Sequence, residues 1–181
     1  MNWMIASDIH GSAACCRALL SRFQSENCDR LLLLGDLLYH GPRNDLPDEY
    51  APKAVIPLLN SVRDRLICVR GNCDADVDQM VLDFPLLADC AVLSIGDRLL
   101  YATHGHHASE ASPPPLCRGD ILLCGHTHIP ACVDHGDFLY LNPGSVSIPK
   151  ADSVRGYMTL KHGVFEWKAL EDGSVYREYT L

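Results

Sequence analysis

Seven residues of metal-ligand type stand just beyond apolar runs in this sequence. Trp3–Ser7 leads into Asp8 and His10, and Leu31–Leu34 leads through Gly35 into Asp36. Ile67–Val69 leads through Arg70-Gly71 into Asn72, Leu99–Thr103 into His104, and Ile121–Cys124 through Gly125 into His126 and His128. A single Asp after a strand is most simply a turn former, and a lone His is most simply polar surface. The His126-x-His128 pair is more pointed, because alternate residues on extended backbone face the same way. If the runs are neighbouring strands, all seven side chains reach one rim of a sheet, where open α/β sheets place their ligands. Imidazole nitrogen and carboxylate oxygen suit Mn²⁺, Fe²⁺, Zn²⁺, Ni²⁺ or Co²⁺. Seven donors exceed the four of a structural zinc site. They suit two ions with one shared ligand, and Asp36, alone on its loop, is the candidate bridge. Two divalent ions about 3.5–4 Å apart can hold a bridging hydroxide and clamp the oxygens of an ester. They also neutralise charge that develops at phosphorus.

The elements that must carry these residues follow from the hydrophobic pattern. Trp3–Ser7, Arg30–Leu34 and Leu66–Val69 read as buried strands, and Ala13–Gln24 as an amphipathic helix with Ser12 at its N-cap. Asp48–Val62 is a second helical stretch, in which Pro52 fits a first turn and Pro57 predicts a kink or break. This alternation implies parallel strands with helical crossovers. The second half changes character. Three hairpins are signalled at Gly96-Asp97, His135-Gly136-Asp137 and His162-Gly163. They predict a largely antiparallel sheet, and two sheets packed face to face with helices outside would bury all the strands. Ser112-Pro113-Pro114-Pro115 reads as a stiff extended loop. The apolar hairpins near the C-terminus serve equally as core or as a self-association surface for a dimer or tetramer.

Composition narrows the class. A chain of 181 residues fits one domain, residues 1–181. No apolar run approaches the roughly 20 residues of a membrane span. Acidic residues outnumber basic ones by 23 to 15, giving a net charge of −8, which argues against a nucleic-acid polymer as partner. Nine cysteines cannot all pair, and no CxxC motif is present, so most read as buried thiols of a reducing compartment. Met1-Asn2-Trp3-Met4 shows no basic segment followed by a long apolar stretch. A cytoplasmic location is expected.

Taken together, Asp8-x-His10, Gly35-Asp36, Gly71-Asn72-x-Asp74, His104 and Gly125-His126-x-His128 resemble the signature of the calcineurin-like metallophosphoesterases. With Gly35–Asn44 and Asn142-Pro143-Gly144-Ser145, the chain looks closest to the small YfcE-type bacterial phosphodiesterases. The resemblance implies an α/β fold, a four-layer α/β/β/α sandwich of two mixed sheets flanked by helices. It also sorts the ligands, with Asp8, His10, Asp36 and His128 on one metal, and Asp36, Asn72, His104 and His126 on the other. Manganese is the metal it implies, and a small phosphodiester the substrate. The catalytic group it implies lies in the Asn72-Cys73-Asp74 run. Most members of the superfamily have His where this chain has Cys73. A thiol is a weak donor and a poor acid at neutral pH, so esters with good leaving groups, such as aryl phosphodiesters, are expected to react best. His106 and His40 are the replacement acid candidates, and Arg43, His40 and Cys73 the candidate substrate contacts. The same fold also carries a non-catalytic scaffold, the retromer subunit, and phosphoesterases for cyclic nucleotides or dinucleotide polyphosphates. The complete ligand set favours an enzyme over the scaffold.

Overall fold

The computed structural model describes residues 1–181. Strand β1 (Trp3–Ala6), helix α1 (Ala13–Ser25), β2 (Arg30–Leu33), helix α2 (Pro52–Asn60) and β3 (Leu66–Cys68) form the predicted alternation. The short helix α3 (Asp76–Gln79) follows, and then only strands: β4 (Cys90–Ile95), β5 (Arg98–Thr103), β6 (Asp120–Leu123), β7 (Pro130–Asp134), β8 (Phe138–Pro143), β9 (Gly156–Lys161), β10 (Val164–Ala169) and β11 (Val175–Thr180). Ser12 caps α1 by accepting a hydrogen bond from the Cys15 backbone N–H at 3.2 Å. Pro57 does not break α2. It lies on the exposed face, as does Lys53 one turn back, so water can solvate the carbonyl that the missing N–H leaves free.

The strands sort into two mixed sheets. One runs β11-β10-β9-β1-β2-β3 and the other β4-β5-β6-β8-β7. β1, β2 and β3 pair in parallel as expected. The second half does not make one antiparallel sheet. The hairpin β9–β10 joins the first sheet through antiparallel pairing of β9 with β1, and β6 pairs in parallel with both β5 and β8. Fully buried strands use both faces. Met4, Ala6, Leu31 and Leu33 pack with the helices, whereas Trp3, Ile5, Leu32 and Leu34 point between the sheets, the period of two expected of a strand. The C-terminal hairpin is core: Met158, Leu160, Phe165 and Trp167 fill the space between the sheets. Edge strand β11, which the pattern did not announce, is mostly exposed.

The α/β class and the pair of mixed sheets are as anticipated, but the fourth layer is not helical. All helices precede β4. On the outer face of the second sheet, Leu122, Cys124 and Tyr140 are covered by the connection between β5 and β6, which lays Leu116 against them. The triple-proline segment lies in this connection, immediately before Leu116. No helix is long and apolar enough to cross a membrane.

A buried charge network ties the end of α1 to the first sheet. Glu26 accepts hydrogen bonds from Tyr157 at 3.0 Å, Lys161 at 2.8 Å and Lys168 at 2.9 Å. Burial opposes its charge, but the bonds from Lys161, Lys168 and Tyr157 outweigh that and bring its pKa down to about 2, from an ordinary 4.5. A depressed carboxylate contributes stability that is complete above its unfolded pKa and is lost as pH falls through its folded one. Glu26→Gln should therefore destabilise the protein by roughly 2 kcal/mol at neutral pH, since it leaves the buried Lys168 ammonium with only Glu166, at 3.2 Å, as counter-charge. The deficit should shrink between pH 4.5 and about 2. Urea melts of both proteins across that range check this.

Candidate metal centre

The loops that leave β1, β2, β3, β5 and β6 meet at one rim. Asp8, His10, Asp36, His104 and His128 are buried there, His126 is half-buried and Asn72 is exposed. Five of the seven, Asp8, His10, Asp36, His126 and His128, have left-handed backbone with φ of 61, 48, 57, 64 and 62°. Each such residue costs of order 1–2 kcal/mol outside glycine. The strain turns the chain sharply at the strand ends and aims the side chains inward, and strain of this kind clusters at functional sites. Neighbouring loops clip these turns. Ser145 and Ser147 donate to the Asp8 carbonyl at 3.0 and 2.9 Å. Asn142 of the Asn-Pro-Gly-Ser turn donates to the Gly125 carbonyl at 2.8 Å.

The histidine tautomers follow from the contacts. Nδ1 of His10, His104 and His128 lies 2.8, 2.6 and 2.6 Å from the carbonyls of Tyr39, Leu34 and Ile148. A carbonyl only accepts, so each Nδ1 carries a proton, and in the neutral ring each Nε2 turns its lone pair into the site. Nε2 of His10 and of His128 are then 3.3 Å apart, acceptor against acceptor. Asp8 Oδ1 sits 3.4 Å from the first and 3.2 Å from the second, and has no hydrogen-bond donor although it is buried. Asp36 Oδ2 lies between two groups, 3.6 Å from His10 Nε2 and 3.4 Å from His104 Nε2. His104 Nε2 in turn meets Asn72 Oδ1 at 3.0 Å and His126 Nδ1 at 3.2 Å.

This donor set fits divalent cations. Donors about 2.1 Å from one ion stand about 3.0–3.4 Å from each other at right and tetrahedral angles, close to the separations found. Asp8, His10 and His128 form one such group, and Asp8, Asp36 and His104 another. Burial disfavours the charge of Asp8, yet the imidazoles of His10 and His128 facing it hold its pKa well below the usual carboxylate range. For His104, burial likewise opposes charge, but Asp36 and Asp8 raise its pKa to about 9. The acidic pair thus attracts positive charge to the position.

The remaining sequence-selected residues divide. Cys73 and Arg43 line a cleft of about 490 Å³ beside Asp36, His126 and His128. The Cys73 thiol, pushed up to about 12 by burial and by Asp36, stays protonated at neutral pH. Asp74 does not reach the cleft. Its carboxylate accepts from the backbone N–H groups of Asp36, Leu37 and Gly71 at 2.8, 2.9 and 2.7 Å and so pins two site loops together. His40 packs edge-on between Tyr39 and Tyr50 and is not part of the cleft wall. The His106 ring lies 5.3 Å from that of His104 and 6.2 Å from that of His126. Burial and the His104 charge bring its pKa down to about 4, so it is neutral at physiological pH. Asn44, Thr127 and Lys150 also line the wall; Asn44 ends the Gly35–Asn44 run, whereas no motif residue pointed to Thr127 or Lys150. A larger cavity, about 810 Å³ between α1 and the turn after β10, holds no comparable convergence of ligand atoms.

Fold and site together define a metallophosphoesterase, and the chain belongs to the calcineurin-like phosphoesterase superfamily, whose domain matches residues 1–163. It is 42% identical to phosphodiesterase YfcE of Escherichia coli K12 over 181 residues, covering 100% of this chain and 98% of that one. The solved structure of the E. coli YfcE phosphoesterase superposes with a TM-score of 0.96 over 99% of both chains, again at 42% identity. The probable metallophosphoesterase YsnB of Bacillus subtilis is 26% identical, over 88% of this chain and 83% of its own. A single-mutant Vps29 from Entamoeba histolytica shares the fold, with a TM-score of 0.66 at 23% identity over 100% and 99% of the two chains.

Proposed function

We propose that the protein hydrolyses a small phosphodiester with two divalent ions, manganese by preference. One ion is assigned to Asp8, His10, Asp36 and His128, the other to Asp36, Asn72, His104 and His126. The observation that carries this reading is the pair of bare Nε2 atoms of His10 and His128, 3.3 Å apart beside the donorless Asp8 Oδ1. When bound, such ions supply the Lewis acidity that polarises phosphoryl oxygens and makes water nucleophilic near neutral pH. The chain's own part is orientation and charge. Three carbonyls fix the imidazoles, Asp74 holds the Asp36 loop, and Arg43 offers the cleft a guanidinium for anionic oxygens of the substrate. Attack in line with the leaving oxygen needs no protein nucleophile, so no phosphoenzyme forms. A net charge of −8 disfavours a nucleic-acid substrate. Nine unbridged cysteines suit the cytoplasm.

The test is hydrolysis of a chromogenic aryl phosphodiester with added Mn²⁺, with and without chelator. Equal rates would reject metal dependence, and full activity in Asn72→Ala would remove the second ion. Proton supply to the leaving oxygen is the weak point of the site, because Cys73 holds its proton too tightly and His106 is neutral and can offer only its N–H. Cys73→His should therefore raise kcat on an alkyl diester by about tenfold or more relative to an aryl one, within the usual range for general acid catalysis. An unchanged alkyl-to-aryl ratio would show that leaving-group protonation is not limiting. Loss of the remaining alkyl-diester turnover in His106→Ala would assign the donor role to His106.

A further inference from the structure

The cleft wall has a composition that hydrolysis alone does not call for. It contains no Phe, Tyr or Trp, so it lacks a large apolar ring to stack on an aryl group or a nucleobase. It does contain two cations, Arg43 and Lys150, and neither has a carboxylate partner, in a chain with excess acid. Both are anchored close to the centre. Arg43 rides on the loop opened by Gly41, whose Cα faces Cys73 and which is closed by the Asn44 amide donating to the His40 carbonyl at 2.8 Å. Lys150 is tied back by its backbone N–H to the His128 carbonyl at 3.2 Å, and its own carbonyl accepts from Ser153.

Charge balance gives these side chains a purpose. Two divalent ions against the carboxylates of Asp8 and Asp36 leave a surplus of two positive charges. A phosphodiester monoanion and a hydroxide nucleophile already cancel that surplus. Arg43 and Lys150 are therefore in excess of what the reacting group requires, and two exposed cations on the wall of one cleft focus their field on further negative charge. We propose that the natural substrate is a polar phosphodiester carrying a second anionic group, carboxylate or phosphate, on the alcohol distal to the leaving group. Arg43 and Lys150 bind that group, flanked by the hydrogen-bonding side chains of Asn44 and Thr127. This rests on the phosphodiesterase reading and narrows its substrate class. Aryl diesters are, on this view, reactive surrogates.

Four p-nitrophenyl diesters that share the leaving group and differ only in the second alcohol provide the test: ethyl, cholinyl, 2-carboxyethyl and 2-phosphoethyl. kcat/KM should be at least about tenfold higher for the two anionic diesters than for the ethyl one, lowest for the cholinyl one, and carried by KM. The carboxyethyl and phosphoethyl arms tell which anion is preferred. The preference should shrink as salt shortens the screening length. Lys150→Met and Arg43→Met should each move the anionic-to-neutral ratio toward one. Equal kcat/KM across the four diesters, or a ratio that Lys150→Met leaves intact, would overturn the inference while leaving phosphodiesterase activity standing. Calorimetric binding of the ethyl and phosphoethyl diesters to the Mn²⁺-loaded protein separates the two claims. Tighter binding of the phosphoethyl diester without turnover of any would sustain the anion site and remove the hydrolase reading, and equal binding would overturn the anion site.

Discussion

Asp36→Asn is expected to cost at least about 10³-fold in kcat on an aryl phosphodiester, because it removes the charge proposed to serve both ions and with it the preorganised electrostatics of the site. Bound manganese should fall from about two ions per chain to one or fewer, read by elemental analysis after gel filtration. The substitution is mild for the fold. Asn tolerates the left-handed backbone at φ 57°. Its amide oxygen can still accept the Cys73 backbone N–H that Asp36 Oδ1 takes at 2.8 Å. Circular dichroism should thus be unchanged, which separates loss of chemistry from loss of structure. Activity within tenfold of the parent, or an undiminished metal content, would refute the bridging assignment.

The second large effect comes from a residue with no side chain. A Cβ on Gly71 would stand 2.1 Å from Asp36 Oδ1 and 2.3 Å from the Asp36 backbone N. One on Gly35 would stand 2.4 Å from the Gly71 backbone N. The loops after β2 and β3 therefore cross backbone against backbone. Gly71→Ala must push the Asp36 loop away from the imidazoles and disturb the Gly71 N–H bond to Asp74. We expect a loss of about 2–4 kcal/mol, the upper range for overpacking, and of about 10²-fold or more in kcat through displaced ligands. Gly96→Ala in the β4–β5 turn is the matched control. Its Cβ would meet nothing within 4 Å, so only the strain at φ +64° remains, about 1 kcal/mol. Equal behaviour of the two variants in thermal melts and activity would refute the crossing-loop account.

Much of this was legible in the sequence. The parallel β1-β2-β3 unit followed from apolar runs separated by a helical stretch, and the seven ligand-type residues from their place just beyond such runs. Strand pairing across long distances was not. Nothing local says that the β9–β10 hairpin leaves the preceding strands to pair β9 with β1, because its Gly-Tyr-Met-Thr-Leu run would suit either sheet. The missing outer helix was equally invisible, since a proline-rich loop can shield a small apolar patch without any periodic signal. Within the site, Asp74 carried the family motif yet spends its oxygens on backbone N–H groups. Lys150, in contrast, reaches the cleft only because its backbone is bonded to His128. Roles decided by which way a backbone group points leave no trace in residue spacing.

The five ligand candidates with left-handed backbone have an evolutionary consequence. At each of them glycine would relax the chain and at the same time delete a donor atom. Stability and chemistry thus pull in opposite directions at the same codons. A lineage released from the need to turn over substrate would gain robustness by drifting to glycine there. Asp and His at all five places hold this chain in a conformation that its own backbone resists.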